Sequence, residues 1–415
     1  MRIAAPDGGA ACVLAAVTGE ILDAPGAALA PLAGAAALTP GLALAARDRC
    51  PLILLTDLHA DAALLAPVVK ATVVVEAASA AHWIAHAANL AMTDPRGPVH
   101  VACADAVAGE PALPVATALR PPALPPPTPA VLETLGDALA RASRPLLITG
   151  LECGADDAKW VRAFAESLPA PVLATAKGRG VLAEPHPLAL GLVDAGHPLL
   201  ARADLLVLVG VDALELPPGP WAPRPLARIG RAPWPESGPA PVADARGDIA
   251  LVIEELAPRV RARPAADWDV AELDRLKRAV TREARATPAS RLVGMVREAT
   301  PAGTLVASDV ALGLAWQAVG PREVLTPLGG HGPVGYAILA AVSAQLVHPA
   351  RRVVAFTTPI GLSAGSGALA LADARELPVV AIVLGPAHDE TAFARAVERA
   401  LATGRPAIVG GACSA

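Results

Sequence analysis

The side chains able to do chemistry are scattered along this chain. Asp7 stands ahead of Gly8-Gly9, where a carboxylate serves either as a general acid or base or as a helix cap. Ser308-Asp309 ends an apolar run, where a following helix would take Asp309 as its N-cap. His331 lies inside Gly329-Gly330-His331-Gly332-Pro333, as a proton carrier or as a hydrogen-bonded turn residue. Asp389-Glu390 opens a helical stretch, as paired metal oxygens or as N-terminal caps. Lys177 and Arg179 fall on a strand-end loop, which is either a ligand position or a solvated loop. Gly361-Leu362-Ser363-Ala364-Gly365-Ser366-Gly367 matches the letters GxSxG, yet no buried strand leads directly into Ser363. Its composition suits an anion nest or a flexible turn. No P-loop, no GxGxxG after a strand, no CxxC and no Cys/His zinc spacing occurs.

Short apolar runs alternate with Ala-rich helical stretches, and these elements must position the candidates. Leu52-Ile53-Leu54-Leu55, Val73-Val74-Val75 and Val99-His100-Val101 read as buried strands, with a helix over 79–92 capped by Ser79 and stopped by Asp94-Pro95. A Pro-rich stretch, 109–129, reads as a linker. Helices over 131–142 and 156–167 then lead into strands at 146–150 and 172–175, and Leu205-Leu206-Val207-Leu208-Val209-Gly210 is a further strand. A charged helix over 270–286 connects to a last block with strands at 305–308, 353–356 and 379–384. Strands of a few residues spaced by helices predict three α/β domains, doubly wound around mostly parallel sheets. The expected bounds are 1–108, 130–256 and 290–415, with 257–289 as a connector.

Composition excludes several classes. The 415 residues carry 34 basic and 39 acidic side chains, a net −5 without a basic footprint, so no nucleic-acid partner is expected. Hydrophobic residues reach 54 % but aromatics only 2 %, so the core must be built from Ala, Val and Leu. Mean hydropathy is +0.47, and 324–350 lacks any Asp, Glu, Lys or Arg. Pro327 and the glycines of 329–335 would break a spanning helix there, and 336–347 is too short to span, so it reads as a buried helix. Five dispersed cysteines read as small core residues in a reducing compartment, and Asp7 with two glycines interrupts any leader-like apolar run. No membrane partner and a cytoplasmic location are expected.

In order along the chain, the run from Gly41 to Leu52, the stretch Lys177-Gly178-Arg179-Gly180 and the segment from Gly329 to Ala337 are together similar to the thiamine-diphosphate-dependent enzymes of the acetolactate synthase and benzoylformate decarboxylase type. The run from Gly41 to Leu52 and Gly97-Pro98-Val99-His100-Val101 resemble parts of a pyrimidine-binding domain, N-terminally trimmed. Lys177-Gly178-Arg179-Gly180, Glu184-Pro185-His186-Pro187-Leu188 and Ala203-Asp204-Leu205-Leu206 resemble the central domain. The segment from Gly329 to Ala337 resembles the glycine-rich turn of the diphosphate-binding domain. The resemblance implies thiamine diphosphate and Mg²⁺ as cofactors. It also implies Asp7 and His331 as catalytic candidates and Gly34, Ser308, Asp309, Gly330, Val334 and Thr358 as cofactor-binding candidates. An obligate oligomer, of this chain or with a paralogous subunit, follows from the same resemblance.

Departures from the family pattern change the expectation. Asp7 falls where the family places Glu, one methylene shorter, and only Gly34 remains of a Gly-Pro-Gly region. The metal-binding Asp position falls on Pro359 and the Asn position on Gly385-Pro386, which offer no side-chain oxygen to a hard cation. No Lys or Arg lies between Phe356 and Ala374 to compensate, and Val334 is small for a residue that bends the cofactor. No metal ligand is assigned. The expected function is a degenerate, non-catalytic or regulatory homologue of 2-oxo acid decarboxylases and acetolactate synthases that has lost cofactor and Mg²⁺ binding. The alternative is a divergent active lyase or carboligase acting on a 2-oxo acid.

Overall fold

The computed structural model describes residues 3–31, 34–58, 60–113, 118–194, 196–216, 224–260, 266–385 and 389–410. In chain order the first stretch holds α1 (Gly8–Leu22), β1 (Gly26–Leu29), α2 (Ala35–Arg47), β2 (Leu52–Asp57), β3 (Ala71–Val75), α3 (Ala80–Met92), β4 (Pro98–Cys103) and α4 (Asp105–Ala108). Next come α5 (Pro129–Arg141), β5 (Pro145–Thr149), α6 (Ala155–Ser167), β6 (Val172–Ala174), β7 (Ala189–Leu192), α7 (Pro198–Arg202), β8 (Leu205–Val209), β9 (Leu226–Gly230), β10 (Ala243–Arg246), α8 (Ile249–Val260), α9 (Val270–Glu283) and α10 (Pro288–Ala299). The last stretch holds β11 (Leu305–Ser308), β12 (Val324–Leu325), α11 (Tyr336–Val347), β13 (Val353–Thr357), α12 (Pro359–Ala364), α13 (Ser366–Ala374), β14 (Val379–Val383), α14 (Glu390–Ala402) and β15 (Ala407–Gly410).

These strands form three sheets, of order β1-β2-β4-β3, β10-β9-β8-β5-β6-β7 and β12-β11-β13-β14-β15. Pairing is parallel along the first two sheets and from β11 to β15 in the third, which confirms the expected α/β fold with parallel sheets. The chain divides into two compact units, one of Met1–Pro122, Thr304–Ala311 and Leu325–Ala415, the other of Ala123–Gly303 and Leu312–Val324. The boundary at Pro122 and Ala123 falls inside the Pro-rich stretch.

In the first unit, two helices with almost no charge, α1 and α11, share one apolar cluster that includes Val13, Val17, Ile338 and Val342. Helices apolar all round must be buried on all sides. Their polar exceptions pair: the Thr18 and Ser343 hydroxyls lie 2.8 Å apart, and Ser343 also donates to the Leu14 carbonyl at 3.0 Å. The segment 336–347 is thus the buried helix expected, and among the described residues no helix is long and apolar enough to cross a membrane. His100, in the middle of β4, is fully buried because Thr56 and Thr72 flank its ring nitrogens at 2.8 and 3.3 Å.

The second unit packs α5, α6 and α8 on one face of its sheet through Leu135, Leu139, Val161, Phe164, Val252 and Leu256. The other face is covered through Leu199, Leu200, Trp268 and Leu273.

Local corrections have clear causes. Ser79 precedes α3 but makes no capping bond, because its hydroxyl accepts the Trp83 indole N–H at 3.1 Å. The glycine-rich run 361–367 is neither nest nor loose turn. It forms the end of α12 and the start of α13, with Gly365 between them closing on the Ile338 side chain.

Gly26 opens β1 beneath α1, and a Cβ there would meet the carbonyl group of Ala15, its carbon at 2.6 Å. Backbone cannot rotate away as a side chain can, so we expect Gly26→Ala to lose about 3 kcal/mol. A thermal melt should show a lowered Tm, and an unchanged Tm would remove this contact from the account of the fold.

Candidate functional site

In the first unit, parallel strands bring β11 and β13 side by side, so Ser308, Asp309, Thr357 and Thr358 meet at the C-terminal edge of the sheet. That edge is where open α/β sheets bind ligands. Asp309 is not the cap of the segment that follows it. Its Oδ1 accepts the N–H of Ala337, in the first turn of α11, at 2.8 Å. Its Oδ2 accepts the Thr357 hydroxyl at 2.6 Å. Burial pushes the Asp309 carboxyl upward, opposed by these two donors. Gly361 closes the group: a Cβ there would meet Asp309 Oδ2 at 2.7 Å and the Thr357 hydroxyl.

The neighbouring donors are engaged as well. The Ser308 hydroxyl donates to the Val310 carbonyl at 2.7 Å and accepts the Val310 N–H at 3.1 Å. Thr358 is the N-cap of α12 and accepts the Gly361 N–H at 3.1 Å, with Pro359 at the first helical position. Proline fits there because its missing N–H would have had no helical partner anyway.

The other candidates lie on caps and turns. Asp7 is exposed and caps α1, taking the Ala10 N–H at 2.7 Å. Gly34 precedes α2 with open space around it. Gly330 ends a short 3₁₀ turn in the left-handed region, followed by exposed His331. The end of α2 holds that turn, since Asp48 accepts the Leu328 N–H at 3.0 Å and Arg47 donates to the Leu328 carbonyl at 3.2 Å. Val334 is 63 % exposed, ahead of Gly335, whose Cα abuts α12. Asp389 caps α14, accepting from Thr391 and Ala392 at 2.8 and 3.0 Å. Pro386 lies outside the described residues.

These residues do not fit a magnesium-bound diphosphate. The carboxylate at the edge already accepts two protein donors, and Pro359 and Gly385 carry no side-chain oxygen. Among the described residues no group of three or more His, Cys, Asp or Glu could hold a metal ion.

In the second unit, Lys177 and Arg179 are each only 4 % exposed, so they are neither a solvated loop nor free ligand contacts. Arg179 grips Glu184 with two bonds of 2.7 and 2.9 Å and also donates to the Trp316 carbonyl. Glu184 in turn accepts the Ala318 N–H at 2.7 Å. Sequence reading missed Glu215. In the sheet order β8-β5-β6, the chain runs outward from β5 in both directions, and the ends of β5 and β8 flank the switch point. Glu215 fills it, accepting N–H groups of Leu151 and Asp212 at 2.9 and 3.0 Å and the Thr175 hydroxyl at 2.5 Å. The signal was the Asp212-x-x-Glu215 spacing of a capping box. Burial pushes the Glu215 carboxyl up to about 7 against the pull of its three donors.

Residues 132–256 match the family model described as the thiamine pyrophosphate enzyme, central domain. The acetolactate synthase isozyme 1 large subunit of Escherichia coli (strain K12) is 30 % identical over 277 residues, 61 % of this chain and 48 % of that protein. The benzoylformate decarboxylase of Pseudomonas aeruginosa is 28 % identical over 277 residues, 62 % of this chain and 51 % of that one. The chain thus spans about half the length of these curated relatives. An X-ray structure from Mycobacterium smegmatis, described as a thiamin diphosphate-dependent enzyme, superposes with a TM-score of 0.76 at 20 % identity, covering 98 % of this chain and 90 % of that chain. At that identity the likeness shows the fold.

Two expectations follow from the buried carboxylates. Arg179→Met strands Glu184 in the interior, and we expect a loss of about 3–5 kcal/mol, partly restored in the double variant with Glu184→Met. A double-mutant cycle by chemical denaturation checks this. Glu215 has its folded pKa raised from 4.5 to about 7, so the folded chain holds this proton more tightly than the unfolded chain. Its contribution to stability is full below 4.5 and is lost as pH rises through about 7. Glu215→Gln should therefore flatten the fall in stability across that window by on the order of 3 kcal/mol. Parallel slopes for both proteins in denaturant titrations from pH 4.5 to 7.5 would contradict the assignment.

Proposed function

We propose that this chain, which belongs to the thiamine-diphosphate-dependent enzyme family as a divergent member, is a non-catalytic or regulatory subunit that binds neither the cofactor nor Mg²⁺. One observation carries the reading. At the sheet edge where the family would seat a diphosphate, Asp309 offers a carboxylate already bonded to the Ala337 N–H and the Thr357 hydroxyl. An incoming diphosphate would meet negative charge, with proline and glycine at the expected cation ligands. At about 4 Å and an effective dielectric of about 20, each pair of like charges repels by about 4 kcal/mol. Asp7 supports the same reading, since its carboxylate serves as the cap of α1.

The role left to such a chain is to associate. We read it as a subunit of an oligomer, either with copies of itself or with a paralogous family member that keeps the intact metal motif. Cys12, Cys50, Cys103 and Cys153 are free thiols, which supports a reducing, cytoplasmic setting.

Calorimetric titration of the full chain with thiamine diphosphate and Mg²⁺ tests the proposal. No saturable heat is expected up to millimolar ligand. Micromolar, Mg²⁺-dependent binding would overturn it in favour of a divergent lyase or carboligase acting on a 2-oxo acid.

A further inference from the structure

A groove of about 510 Å³ opens on the second unit between α9 and the loop that carries Pro185 and Pro187. Small-molecule sites fall in the range of about 300–1,000 Å³. One wall is cationic. Arg278 and Arg282 stand at i and i+4 on α9 with Thr281 beside them, Arg285 follows in the turn just past the end of the helix, and Asp274 also lines this wall. The other wall is apolar, formed by the two proline rings. That wall is held in place: Lys277 donates to the Glu184 carbonyl at 3.1 Å and to the His186 carbonyl, and Glu184 itself is clamped by Arg179.

The cations are available. Arg278 pairs with Asp274 at 2.8 Å and Arg285 with Glu298 at 3.2 Å, but all four side chains are at least half exposed. Exposed pairs of this kind are weak and screened by solvent, so an incoming anion can displace them. Arg282 has no side-chain partner among the described residues. Guanidinium forks match tetrahedral oxyanions with paired N–H bonds, and Thr281 adds a hydroxyl.

We propose that this groove binds a small organic molecule carrying a phosphate group, its phosphate on Arg278, Arg282 and Arg285 and its organic part against Pro185 and Pro187. The site is independent of the reading of the sheet edge in the first unit, and neither outcome there alters it.

The full chain is titrated by calorimetry with phenyl phosphate and, separately, with inorganic phosphate, at about 50 mM salt. Expected are saturable binding of phenyl phosphate, at least tenfold weaker binding of inorganic phosphate, and at least a tenfold loss for phenyl phosphate in Arg282→Glu. Arg278→Glu, read alongside, should show a comparable loss. Circular dichroism establishes that both variants keep the fold, and if Arg282→Glu fails to fold, Arg278→Glu alone decides. No saturation by 10 mM phenyl phosphate, undiminished binding in the folded variants, or equal affinity for the two probes would each overturn the proposal.

Discussion

Parallel strands followed by helices aim backbone N–H groups at one edge of the sheet, and those donors require an acceptor. In this protein the acceptors are its own carboxylates. Asp309 receives the first turn of α11 and the Thr357 hydroxyl in the first unit, while Glu215 receives the Leu151 and Asp212 N–H groups in the second. A carboxylate tethered to the chain pays no association entropy, whereas a free ligand must overcome roughly 4–15 kcal/mol before it gains anything. Once such an internal acceptor is in place, its surroundings close over it. Gly361 has no room for a Cβ, and the Thr175 hydroxyl approaches Glu215.

The same internal use of charge runs through the second unit. Arg228 is fully buried, held by Glu152 and Asp244 at 3.0 Å each, and Arg231 binds Asp157 at 3.0 Å. Buried pairs of this kind add little net stability over apolar packing, but breaking one leaves a stranded charge. They therefore fix which strands and loops meet. The arginines of α9 are different because they are solvated, so what distinguishes a structural arginine from one open to a ligand is burial.

Much of the fold was legible because it rests on local pattern. The strands at 305–308 and 379–383 and the helices at 155–167 and 336–347 show as apolar runs and amphipathic or wholly apolar stretches. Among the missed strands, Gly26–Leu29 is Ala-rich and Ala243–Arg246 alternates with Asp and Arg. α1 was hidden by its opening glycines, although Asp7 caps it as the bland reading allowed. The site was less legible. Ser308 and Asp309 could be placed at a strand end, but that Asp309 would cap a helix beginning at Tyr336 is a tertiary fact with no local signature. Lys177 and Arg179 misled for the same reason, since the partners that bury Arg179 include Trp316, distant in sequence.

The departures from the family pattern can be read as one change in charge balance. A metal-bound diphosphate site needs oxygen ligands for the cation, and the cation in turn cancels the charge of the diphosphate. With proline opening α12 and glycine ending the run after β14, neither position offers a side-chain oxygen to a cation. The N–H donors at the edge persist, because strand and helix geometry creates them regardless of ligand. A single internal carboxylate, its pKa drawn upward by burial and restrained by two donors, suits such an edge: it accepts the hydrogen bonds while carrying less charge into the interior than a diphosphate would. On the reading proposed above, the lack of side-chain oxygens at Pro359 and Gly385 and the enclosure of Asp309 reinforce each other, since each makes the other's reversal more costly.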